Sequence, residues 1–133
     1  MGLSHITMIV HDLDKTATML TKILNAKEVY SSCDRTFSLS KEKFFLIDDV
    51  WVCIMEGNAF SERTYNHIAF KIAKSEYDRY IETIKELGLE LRPPRPRVDG
   101  VGRSIYFYDY DNHLLELHTG TLDERLARYG ITS

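Results

Sequence analysis

The residues of this 133-residue chain best suited to metal chemistry are two histidines and a glutamate. His5 heads the run Ser4-His5-Ile6-Thr7-Met8-Ile9-Val10, and His67 heads Asn66-His67-Ile68-Ala69-Phe70-Lys71-Ile72. Both runs pass from a small polar residue to histidine, isoleucine and then a β-branched or aromatic stretch, and they lie 62 residues apart. A single histidine at the head of an apolar strand is most often structural, but two at repeat-equivalent positions can bring their imidazoles to one point if the repeats pair about a pseudo-twofold axis. Glu116 stands among leucines in Leu114-Leu115-Glu116-Leu117-His118. Alternation with period two puts Leu115 and Leu117 on one side and Leu114, Glu116 and His118 on the other. A carboxylate buried there needs a cation, whereas a surface-facing glutamate fits the same spacing.

The elements that must position these residues form a repeat. Behind His5 comes Asp12, suited to cap a helix, with Leu13, Thr16, Leu20, Ile23 and Leu24 at helical spacing through Thr16–Ala26. Behind His67 comes Ser75-Glu76-Tyr77-Asp78, a near-variant of the capping box, with Tyr80, Ile81, Ile84 and Leu87 at the same spacing and Gly88 at the C-terminal end. Extended segments follow at Glu28–Ser31, Phe37–Leu39, Phe44–Asp48 and Trp51–Met55, and again at Glu90–Arg92, Ser104–Tyr108 and Leu114–His118. Each half closes on a glycine, Gly57 or Gly120, so the chain reads as βαβββ written twice, an α+β fold. Asp109–Asn112 is a tight turn between the last two strands. The run Arg92-Pro93-Pro94-Arg95-Pro96-Arg97 cannot be a central strand because each proline removes a backbone donor. It reads as a stiff surface loop whose arginines suit either solvent or an anion.

Composition narrows the partners. Seventeen basic residues against twenty acidic ones, a net charge of −3, lack the basic excess of a nucleic-acid-binding surface. No apolar run approaches the roughly 18–20 residues of a membrane span, and MGLSHITMIVHDL does not resemble a signal peptide. A cytoplasmic protein without membrane or nucleic-acid partners is expected. In that setting Cys33 and Cys53 read as free thiols.

The stretches SHI, NHIAF and YFYDYDNHLLELHTGTLDERL, together with FSLSKEKFFLI, ERTYNHIAF and GRSIYFYD, resemble the vicinal oxygen chelate (glyoxalase, bleomycin resistance, dioxygenase) superfamily. Within it they resemble the fosfomycin resistance proteins, most closely the FosX type, from Leu3 to about Tyr129. The resemblance implies one domain spanning residues 1–133, with modules at about 3–57 and 64–120 and a closing helix at about 121–129. It implies a metal, Mn2+ in the family although the ligand set tolerates other divalent ions, held by His5, His67 and Glu116. Three such ligands leave open positions on the ion, as a catalytic site requires. Glu116 corresponds in the first half to Cys53 if residues are counted back from the closing glycines, or to Ile54 at the strict offset of 62; neither is a carboxylate.

The implied reaction is addition of water to the epoxide of fosfomycin, giving a diol. Water needs a general base, and the family places it on Glu42, which read alone between Lys41 and Lys43 is a solvated charge. The implied phosphonate contacts are Thr7, Ser104, Tyr106 and Arg125, with Trp51 and Tyr65 as nearby aromatics that also suit a core. The loop between Arg97 and Ser104 lacks the serine with which the glutathione-using type holds potassium. Arg95, Arg97 and Arg103 are expected to supply positive charge instead. The resemblance further implies a module-swapped homodimer in which His5 meets the partner subunit's His67 and Glu116. Competing readings are a thiol transferase of the same fold, a hydrolase acting on another epoxide or phosphonate, and a binding protein without chemistry.

Overall fold

In a computed structural model describing residues 1–94 and 102–131, the chain divides into two compact units. The first comprises Met1–Glu62 with Tyr110–Asn112, and the second Arg63–Asp109 with His113–Ser133. Arg95 and Arg97 lie outside the described residues.

The first unit runs β1 (His5–Val10), α1 (Leu13–Leu24), β2 (Lys27–Ser31), β3 (Glu42–Ile47) and β4 (Val50–Glu56). Asp12 caps α1, its carboxylate accepting from the Lys15 backbone N–H, and Asn25 ends the helix in the left-handed region. The helix begins at Leu13, the first residue of the apolar spacing, with Asp12 as its cap, and ends at Leu24, two residues before Ala26. The sheet order is β1-β4-β3-β2, with β1 parallel to β4 and the other pairs antiparallel. The α1 residues Met19, Leu20 and Ile23 and the strand residues Val10, Phe45, Val52 and Ile54 are almost wholly buried. By the two-residue period these strand positions share one sheet face, which leaves the other face to His5, Thr7, Trp51, Cys53, Glu42 and Phe44.

Phe37–Leu39 is not a strand. It lies in a run of bends with no sheet partner, and Phe37 and Leu39 are 68% and 91% exposed.

The second unit runs β5 (His67–Lys71), α2 (Tyr77–Glu86), β6 (Ser104–Tyr108), β7 (Leu114–His118) and α3 (Leu122–Arg128). Its sheet order is β5-β7-β6, with β5 parallel to β7 and β6 antiparallel to it. Ser75 does not cap α2. It sits inside a 3-10 turn at Lys74–Glu76, and Glu76, the residue before α2, is already helical, so the extended geometry of a side-chain cap is missing. Gly88, with φ of 69°, follows the helix end as expected.

The expected strand at Glu90–Arg92 shrinks to a single bridge, Leu91 to Phe107. Hydrogen bonds from Arg92 N to Tyr106 O and from Tyr108 N to Glu90 O still pin this segment to β6, and Pro93 and Pro94 then stop the ladder. Gly102 packs where a Cβ would come within 2.5 Å of the Gly120 backbone nitrogen, so glycine is required there. Among the described residues no helix is long and apolar enough to cross a membrane.

Candidate metal centre and active site

On the open face of the first sheet, register sets Thr7 opposite Cys53 and His5 opposite Trp51. The His5 ring lies on the Trp51 indole, centroids 4.1 Å apart at 31°, and the indole meets Phe44 edge-on. The Ser4 hydroxyl sits 3.0 Å from His5 Nδ1, so the opposite nitrogen, Nε2, is the one available to a ligand. Glu42 opens β3 and is 7% exposed. Its backbone N–H donates to Ser32 Oγ, while its carboxylate Oε2 has no hydrogen-bond partner among the described residues.

A buried, unbonded carboxylate oxygen is costly unless a hydrogen-bond donor arrives, and this one is open to such a donor. Beside it, burial first and the Glu42 charge second push the Cys53 thiol up, against a smaller opposing effect from a hydrogen bond with Thr7. Cys53 is therefore held as a neutral thiol, a poor nucleophile. The buried Trp51 indole N–H likewise has no acceptor among the described residues.

On the second sheet, His67 Nδ1 is 2.7 Å from the Tyr65 carbonyl oxygen. A carbonyl only accepts, so Nδ1 carries the hydrogen and Nε2 presents its lone pair. That nitrogen lies 2.9 Å from Glu116 Oε1, and Glu116 is 5% exposed. An imidazole nitrogen beside a buried carboxylate oxygen is stabilised by a proton shared between them or by a metal ion bound to both, and this nitrogen-oxygen pair has the donor chemistry of a divalent transition-metal site. His67 and Glu116 thus fit a metal ion. His5 lies in the other unit, and no three His, Cys, Asp or Glu side chains converge among the described residues.

Around the pair, Tyr65 O–H donates to the Tyr106 hydroxyl at 3.1 Å. Burial, this contact and the neighbouring Glu116 charge raise Tyr106 far above its ordinary value, so it stays a neutral donor. A cavity of about 730 Å3 opens here, lined by His67, Glu116, Ser104, Tyr106, Tyr65 and Arg125 among others.

Three guanidinium groups reach its wall. Arg103 lies 3.8 Å over the Tyr77 ring and Arg92 5.4 Å over Tyr65, with Arg125 contributed by α3, whose first turn is capped by the Thr121 hydroxyl. Arginines fixed by stacking or by a helix suit an anionic oxygen group. The structure therefore brings together His67, Glu116, Ser104, Tyr106, Tyr65, Arg103 and Arg125 in one unit, and His5, Thr7, Glu42 and Trp51 on one face of the other. Sequence reasoning gave no role to His118, which also lines the cavity; its two-residue spacing from Glu116 was the available signal.

Two α+β units, each opening on a strand headed by a histidine, define a class, and comparison with known proteins agrees with it. A profile described as Glyoxalase/Bleomycin resistance protein/Dioxygenase superfamily matches residues 2–117, and the chain belongs to that superfamily. Within it, the chain is 69% identical over 128 residues to "Fosfomycin resistance protein FosX" of Listeria monocytogenes, covering 96% of each chain. It is 62% identical over 127 residues to the FosX of Mesorhizobium japonicum, covering 96% of this chain and 91% of that one. A crystal structure of a FosX variant from Listeria monocytogenes, in complex with Mn(II) and 1S,2S-dihydroxypropylphosphonic acid, superposes with a TM-score of 0.88 at 62% identity. That match covers 96% of this chain and 97% of the other, and the protein is a FosX-type member of the family.

Proposed function

We propose that the chain hydrates the epoxide of fosfomycin in a metal-dependent reaction, yielding 1,2-dihydroxypropylphosphonate and thereby antibiotic resistance. The observation that carries this reading is the diol phosphonate held with Mn(II) in the FosX relative, since that diol is the epoxide plus one water. His5, His67 and Glu116 are the ligands, with both imidazoles presenting Nε2 because Nδ1 is engaged by Ser4 or by the Tyr65 carbonyl. The bound ion, Mn2+ by the relatives' example, supplies Lewis acidity at the epoxide oxygen.

The unbonded carboxylate oxygen of Glu42 takes a proton from water as the water oxygen bonds to a ring carbon and the C–O bond of that carbon breaks. The oxygen released from the ring gains a proton from solvent, which balances the diol. Arg125, Arg103 and the neutral Tyr106 hydroxyl bind the phosphonate, and Thr7, Ser104, Trp51 and Tyr65 complete the surroundings. Cys53, kept as a thiol, leaves the nucleophile to come from outside the protein.

The working assembly in this proposal is a cytoplasmic homodimer of single-domain chains, with modules at 3–57 and 64–120. His5 and the His67–Glu116 pair lie in different units, so a site drawing His5 from one chain and the pair from another uses both units twice. Purified protein incubated with Mn2+ and fosfomycin, with and without glutathione, tests the reaction. Diol without thiol is the expected product; a strict thiol requirement overturns hydration in favour of thiol transfer.

A further inference from the structure

The Ser104 hydroxyl carries one proton and has two close neighbours. It lies 2.6 Å from Glu116 Oε2 and 2.7 Å from His118 Nδ1. A carboxylate oxygen accepts only, so the serine proton goes to Glu116, and the His118 contact must be a donation from Nδ1–H to Ser104 Oγ. The same nitrogen is 3.4 Å from Glu116 Oε2.

Both partners of Ser104 are well covered. The side chain of His118 is 15% exposed and that of Glu116 6%, so water competes weakly for these bonds. We propose that His118 is a positioning residue: by donating to Ser104 it orients the serine hydroxyl onto Glu116 Oε2, and so holds Glu116 with Oε1 facing His67 Nε2. Ser104 then spends its proton on the metal carboxylate.

Strand register makes the relay possible. Ser104 stands opposite His118 across β6 and β7, and the pleat puts Glu116 on the same face two residues away. The first unit has the same three positions filled by Glu42, Met55 and Cys53, which have no comparable donor chain.

This inference rests on Glu116 being a metal ligand, and the test separates the two claims. Free Mn2+ is titrated by its electron paramagnetic resonance signal against metal-stripped protein, for the parent and for His118→Leu, His118→Asn, Ser104→Ala, His118→Leu with Ser104→Ala, and Glu116→Gln. Expected are a 10- to 100-fold weaker Mn2+ affinity for His118→Leu and for Ser104→Ala, and a double variant no weaker than either single one. His118→Asn, whose amide N–H can replace Nδ1–H, should stay within about threefold of the parent.

Parent-like affinity in His118→Leu, or additive losses in the double variant, overturns the relay. If His118→Leu does not fold, Ser104→Ala decides: parent-like Mn2+ affinity there overturns the relay equally. Unchanged affinity in Glu116→Gln overturns the ligand assignment itself, whatever the other variants do.

Discussion

The two sheets share a parallel first pair and an antiparallel hairpin, and they differ in the residues on one face. In the first, β3 and β4 set Glu42 opposite Met55 and Phe44 opposite Cys53; in the second, β6 and β7 set Ser104 opposite His118 and Tyr106 opposite Glu116. Thr7 faces Cys53 as Ala69 faces Glu116, so the carboxylate position of the second half is a thiol in the first. Glu42, the proposed base, holds in one half the place that Ser104 holds in the other. In the proposed reaction these equivalent backbone positions are divided between acid-base work and metal holding, and a thiol in place of a fourth carboxylate leaves coordination positions open to substrate.

The largest break in this contrast is Glu42→Gln. It should lower the rate of hydration by about 10²–10⁴-fold while leaving Mn2+ affinity and thermal midpoint near the parent's, measured by diol formation and metal titration. A variant that hydrates normally removes Glu42 as the base. Restoring symmetry by Cys53→Glu should be next in size, because it buries a second carboxylate beside Glu42. A loss of about 3 kcal/mol in urea unfolding is expected without metal.

The helices sharpen the contrast further. Asp12→Ala should cost about 1 kcal/mol, since Asp12 accepts from Lys15 N–H, whereas Ser75→Ala should cost almost nothing because no side chain caps α2.

The smallest effect is titration of Cys53. Its thiol is raised in the folded protein, so its contribution to stability is complete below the ordinary thiol range and is lost as pH rises through the folded value. Unfolding measured above about pH 8.5 should show a shallower decline for Cys53→Ala than for the parent. At pH 8, iodoacetamide should add one label per chain, at exposed Cys33, and spare buried Cys53.

Much of this was readable in the amino-acid order. Ser104–Tyr108 and Leu114–His118 coincide with β6 and β7 residue for residue, because each is a short, mostly apolar or aromatic run and turn residues separate them. The equivalence of Cys53 with Glu116 was not decidable, and the reason is a turn. Four residues, 47–50, separate Leu46 from Trp51, whereas five, 109–113, separate the matching Tyr108 and Leu114, so an offset of 62 fails by one after the hairpin.

Phe37–Leu39 misled because alternating serine and apolar residues mimic a strand, yet a strand forms only where a neighbour offers hydrogen bonds. The unbonded oxygen of Glu42 and the contact between Ser104 and His118 were out of reach for the same reason. Each depends on which residue lies across the ladder, and that is set by pairing between segments.

That longer turn also bears on how the chain can be divided. Tyr110–Asn112 belong to the first compact unit, where the Asp111 carboxylate accepts from the His11 backbone N–H and the Asn112 amide donates to the Phe60 carbonyl. A gene cut after codon 62 would therefore yield a fragment lacking three of its own residues. The two halves, although written as a duplication, are no longer interchangeable cassettes, and split-chain complementation should need a breakpoint that leaves residues 110–112 with their acceptor fragment.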